Sequence, residues 1–178
     1  MLRRVMVSIF LIFCILPVQG QSGDNPQPGV FEAISGSALV PLENATATIV
    51  SRSGGFMVAS AHAAYQIEGA KAPVRFRRGM VLTFVEGPSA AVFGDDPSSA
   101  VVLRKLTATK KYRQAVFMNA KAYPFGGKSS TDLMSGRVAV TVTREKDGWL
   151  RIVASNVSPG EYALSAPYGL SWYCFGVD

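Results

Sequence analysis

Histidine occurs once, at His62, and cysteine twice, at Cys14 and Cys174. So few soft ligands give no usual metal-site spacing, and neither a metal nor any other cofactor is expected. The chain also lacks a G-x-S-x-G elbow, an H-E-x-x-H pair and a Cys-x-x-Cys, so no hydrolase, metalloprotease or thiol-redox signature is present. No apolar run reaches the ~20 residues that a membrane-spanning helix needs. Nor does any long stretch carry an apolar stripe at helical spacing, which argues against βαβ units around a parallel sheet. Charge of one sign is not concentrated either. Eighteen basic against twelve acidic residues is a mild excess, unlike the dense basic face of a nucleic-acid binder, and nucleic acid is not an expected partner.

What is present starts with a leader. Arg3 and Arg4 precede an apolar run from Val5 to Leu16, and Val18 and Gly20 set small residues at the third and first positions before a cut at Gln21. This is the pattern of a secretory signal peptide over residues 1–20, and it predicts a secreted or periplasmic protein. An uncleaved membrane anchor is the competing reading; the run is short for that, and Pro17 interrupts its end. Phe13 stands before Cys14, where lipid attachment would need a small residue. Removing the leader takes two basic residues and lowers the formal net charge from +6 to +4. It also takes Cys14, leaving Cys174 with no partner in its own chain. Trp172, Tyr173, Phe175 and Val177 around it point to a buried thiol and to a monomer or weak oligomer. Residues 21–29, QSGDNPQPG, read as a flexible leader, and 30–178 as a single domain long enough to bury a core without disulfides.

The dominant period is two. Val138, Val140 and Val142 alternate with Ala139, Thr141 and Thr143, and Glu145-Lys146-Asp147-Gly148 then turns the chain into a second strand, Trp149 to Ala154. Val74 and Phe76 alternate with Arg75 and Arg77, Gly79 marks a bend, and Met80 to Val85 has the two-sided apolarity of a central strand. Residues 56–67 read as a strand in spite of their alanines. Segments at 47–52, 100–106, 114–119, 162–165 and 172–177 bring the count to about eight, spaced as in an antiparallel β-sandwich.

Within this pattern, Ser158-Pro159-Gly160-Glu161-Tyr162-Ala163-Leu164 resembles the tyrosine corner of immunoglobulin-like and fibronectin-type sandwiches. Similar Pro-Gly-x-Tyr runs occur in exported bacterial sandwich modules, and the closing Phe175-Gly176-Val177-Asp178 is similar to the end of such domains. The resemblance implies an all-β, antiparallel immunoglobulin-like architecture, with Pro159, Gly160 and Tyr162 in structural roles. It brings no catalytic or ligand residues with it.

Candidate chemistry is sparse. Ala122 to Ser129 loosely matches a phosphate loop, but Pro124 removes an N–H that such a loop needs, and a Gly-rich connection between strands explains it as well. His62 shares a strand face with Ser60, and a small exported hydrolase would need it beside a carboxylate from the Asp95 loop or Glu161. Asp95 and Asp96 are adjacent before Pro97, where they read as turn chemistry and not as a catalytic pair. The densest positive charges are Arg75, Arg77, Arg78, Lys110, Lys111 and Arg113. Brought together they would form a patch for an anionic glycan, a lipid head group or an acidic envelope protein; kept apart they are solubilising edges. The sequence thus favours a non-enzymatic binding or structural module, with the hydrolase and an envelope assembly subunit as alternatives.

Overall fold

A computed structural model describes residues 26–54, 59–88, 96–123, 126–132, 135–167 and 169–178. The leader, Met57 and Asp95 lie outside the described residues. Apart from one 3-10 turn at Pro97–Ser99, every regular element is a β-strand: β1 Phe31–Ser35, β2 Ala38–Pro41, β3 Glu43–Thr46, β4 Thr48–Gly54, β5 Ala59–Glu68, β6 Arg75–Phe76, β7 Leu82–Glu86, β8 Val102–Ala108, β9 Tyr112–Tyr123, β10 Gly126–Thr131, β11 Arg137–Val138, β12 Thr141–Arg144, β13 Leu150–Ala154, β14 Gly160–Ser165 and β15 Ser171–Val177. One sheet runs β12-β13-β7-β1-β2. The other runs β3-β15-β14-β8-β9-β5-β4, with β10 beside β9, β11 beside β8 and β6 beside β15, and curls into a half-barrel. All strand pairings are antiparallel except β6 with β15.

Among the described residues fifteen short strands stand where the periodicity counts about eight, and the valine run shows why. Val138 pairs with Leu103 in the larger sheet, whereas Val142 pairs with Ile152 in the smaller one. The chain changes sheets at Ala139–Val140 without breaking its alternation, because all three valines pack against the same core. A change of hydrogen-bonding partner leaves no trace in side-chain period. The turn that follows is a tight one, with Glu145 and Trp149 hydrogen-bonded across it and Gly148 at φ 82. Met80 and Val81 are exposed and lie outside the central strand, which begins at Leu82. Gln27 is already engaged with the fold, its carbonyl accepting from the Val30 and Gly87 N–H groups.

Two cores share β14 and β15. Tyr162, Leu164, Tyr173 and Phe175 face the smaller sheet and meet Phe31, Phe84 and Ile152 there. Ala163, Trp172 and Cys174, on the opposite face of the same two strands, are covered by Ile67, Ala115 and Ala47 of the half-barrel. Strands buried on both faces explain why the carboxyl end reads as nearly continuous apolar sequence. The Cys174 thiol is fully buried, and burial pushes its pKa up to about 12, which keeps it in the unreactive thiol form.

Where β14 begins, the Tyr162 hydroxyl donates to the Ser158 carbonyl at 2.6 Å, and the Ser158 hydroxyl lies 3.0 Å away. Tyr162→Phe should cost about 1 kcal/mol, because the buried Tyr162 side chain loses its hydrogen bond to the Ser158 carbonyl. The checking measurement is a urea midpoint that falls at unchanged slope.

Glu86, half-buried at the end of β7, has its carboxyl pushed up to about 7 by burial, from 4.5 in the unfolded chain. The folded state therefore holds this proton more tightly than the unfolded state. Its contribution to stability is complete below about 4.5 and is lost as the pH rises through about 7. Glu86→Gln should change little at pH ~4.5 and stabilise at pH ~8 by about 1–2 kcal/mol, after discounting for solvent access. Calorimetry at the two pH values checks this. An equal shift at both would contradict it.

Candidate functional site

In the larger sheet, β4, β5, β9 and β10 form a four-stranded wing in the order β4-β5-β9-β10. Its sequences alternate so that each face has one character. In register, Arg52, His62, Asn119 and Ser130 form one row across the wing, and Gly54, Ser60, Lys121 and Lys128 form the next. Residues directly opposite share a face, so these two rows lie side by side on one surface. We call it the outer face, because the other face runs into the second core through Tyr65 and Ile67. The inner face carries Ser53, Ala59, Ala61, Ala120, Ala122 and Ser129, which line a hollow of about 490 Å³ together with Gly54, Ser60, Lys121, Gly127 and Lys128.

The outer face holds two hollows. One, of about 310 Å³, is lined by Val50, Arg52, His62, Gln66, Tyr112 and Gln114. The other, of about 630 Å³, is lined by Asn119, Lys121, Tyr123, Lys128 and Ser130, together with the intervening small residues. A register shift at Ala63/Ala64 separates them, leaving Phe117 as the extra residue of β9, and Phe117 packs on Tyr65 at 4.8 Å between ring centroids. Lys121 and Lys128 are direct cross-strand partners, an arrangement that repels. The one acid of these four strands is Glu68, at the far end of β5 and paired with Tyr112, and no carboxylate lines the hollow that holds the two lysines.

The cations singled out from sequence have separate fates. Arg113 is fully buried and does not reach the surface: its guanidinium grips both oxygens of Glu43, at 2.8 and 3.0 Å, and donates to the Gly69 and Glu68 carbonyls. Arg75 is held by Glu161 and Asp178, hydrogen bonds that raise its pKa above the ordinary guanidinium range. It lies over Gly176, where a methyl group would overlap the guanidinium and push it off its carboxylates. Arg77, Arg78, Lys110 and Lys111 remain exposed. Arg75 and Arg113 thus spend their charge on internal carboxylates, which sequence density cannot distinguish from a patch.

His62 sits on β5 opposite Arg52 and Asn119, and its hollow contains no carboxylate. Glu161 is occupied elsewhere, accepting from Arg75 at 2.7 Å and from the Ala72 N–H at 2.8 Å. Asp96 accepts from the Ser98 N–H and hydroxyl and caps the 3-10 turn, and these bonds hold its carboxyl below the usual range. Lys128, the lysine of the phosphate-loop-like segment, lies on β10, a strand where that motif needs a helix start. Among the described residues no group of three or more His, Cys, Asp or Glu gathers around a metal-sized space. No described helix is long and apolar enough to cross a membrane.

Sequence reading missed Arg52 and Lys121, and met Lys128 only in the phosphate-loop-like segment, because each stands alone among small residues, 69 positions separating the first two. The usable signal was the absence of acid from residues 48–67 and 112–131. No family model matches the chain, and no curated protein is significantly similar to it.

Proposed function

We propose that this chain is an exported, non-catalytic binding module, an immunoglobulin-like sandwich that presents its ligand surface on the outer face of the wing. The leader-like residues 1–20 support export, and two facing layers with a tied-back Tyr162 support the sandwich reading. One observation carries the functional part: the outer face collects cations, amides and tyrosines in two hollows and sets two lysines directly opposite each other. Surface groups that oppose each other at a cost to stability are retained for binding more readily than for architecture. His62 without a carboxylate in its hollow, and Glu161 committed to Arg75, support binding over hydrolysis.

Two measurements test the proposal. Intact mass of the protein recovered from culture fluid or envelope should match a chain beginning at Gln21; a chain retaining Met1 inside the cell would overturn the export reading. Polymeric material from the same envelope should be retained on immobilised protein and lost with Lys121→Ser/Lys128→Ser. Equal retention by both would remove the wing from the function.

A further inference from the structure

Resting on that reading, we infer that the ligand is an acidic polysaccharide lying along β9 across both outer-face hollows. The two hollows repeat one set of groups. Each has a tyrosine, Tyr112 in one and Tyr123 in the other; each has carboxamides, Gln66 and Gln114 or Asn119; each has cations, Arg52 or the Lys121–Lys128 pair. A tyrosine ring offers a flat apolar platform with a polar tip, the shape that meets the C–H face of a sugar ring. Carboxamides both donate and accept, as sugar hydroxyls do. The cations answer a carboxylate or sulfate through charge-assisted bonds.

Repetition along a single strand fits a linear repeating ligand. At about 3.3 Å per residue, and allowing for the extra residue at the register shift, Tyr112 and Tyr123 stand roughly 33 Å apart, long enough for several sugar units and too long for a small metabolite. Charge complementarity sets the sign of the ligand: Arg52, Lys121 and Lys128 line the two hollows, no carboxylate lines either, and the one acid of these four strands, Glu68, stands at the end of β5 opposite Tyr112. The same face argues against a bilayer. Docking on lipid asks for a continuous apolar surface, whereas here amides and hydroxyls alternate with the cations.

The experiment is titration calorimetry of the protein with polygalacturonate, with neutral dextran, with dextran sulfate, with a single-stranded oligonucleotide and with vesicles containing phosphatidylglycerol. Binding to polygalacturonate or dextran sulfate, with dextran inert, is expected. Lys121→Ser/Lys128→Ser should weaken it about tenfold or more at constant ionic strength. Tyr123→Ala, at a half-exposed site outside both cores, should weaken it about threefold or more with the melting temperature unchanged. Vesicles or the oligonucleotide bound in preference to every polysaccharide, with the binding lost in the lysine variant, would overturn the polysaccharide and leave the wing as the binding surface. The same holds for binding indifferent to Tyr123→Ala, which would mean unselective ion pairing. Polysaccharide binding unchanged by the lysine variant would overturn the wing itself.

Discussion

Arg113→Met should remove about 3–5 kcal/mol of folding stability, a large share of the ~5–15 kcal/mol that a domain holds in total. The guanidinium is fully enclosed and saturates both Glu43 oxygens and two backbone carbonyls, from Glu68 and Gly69. Methionine fills the volume but leaves a partly buried carboxylate and two carbonyls without donors. Most of the loss is therefore the cost of what remains behind. The double variant Arg113→Met/Glu43→Leu should be less destabilised than Arg113→Met alone, because the stranded charge goes with it. Chemical denaturation of the wild type, both single variants and the double variant measures the coupling. Strict additivity would mean that the pair contributes nothing as a pair.

Phe175→Ala should cost about as much, some 3–5 kcal/mol, for a different reason. The ring is fully buried on β15, stacked on Tyr162 at 5.5 Å and in contact with Phe84 at 4.9 Å and Phe76 at 5.7 Å. It joins three strands of one core, and truncation leaves a void that neighbours on two sheets cannot both collapse into. Leu170, by contrast, is exposed in the connection just before β15, and Leu170→Ala should change the thermal midpoint little. Parallel thermal melts of the two variants give the comparison. A loss below about 1 kcal/mol for Phe175→Ala would mean that the two sheets are not held together through this ring.

Strand type was legible in this sequence because side-chain alternation is a local property. The hairpin across Gly148, the central position of Leu82 to Glu86 and the burial of Cys174 all follow from residues within a few positions of one another. Partnering was not legible. Val138 and Val142 belong to different sheets though their alternation is continuous, and Arg113 finds Glu43 seventy residues away. The same limit hid the wing. Arg52, Lys121 and Lys128 become neighbours only through the β4-β5-β9-β10 register, and the strand in which His62 was noticed is the one that joins them. A cluster of cations close in sequence was a poor guide, because Arg75 and Arg113 are tied to carboxylates brought from distant strands while Arg77 and Lys111 stay exposed.

The central claim is that the outer-face cations serve a ligand and not the fold, and a melting experiment without any ligand tests it. Arg52→Ser, Lys121→Ser and Lys128→Ser combined should leave the midpoint unchanged or raise it slightly, since opposed like charges cost up to about 1 kcal/mol. A midpoint lowered by more than that amount would show these side chains holding the wing together, and the binding surface would lose its foundation.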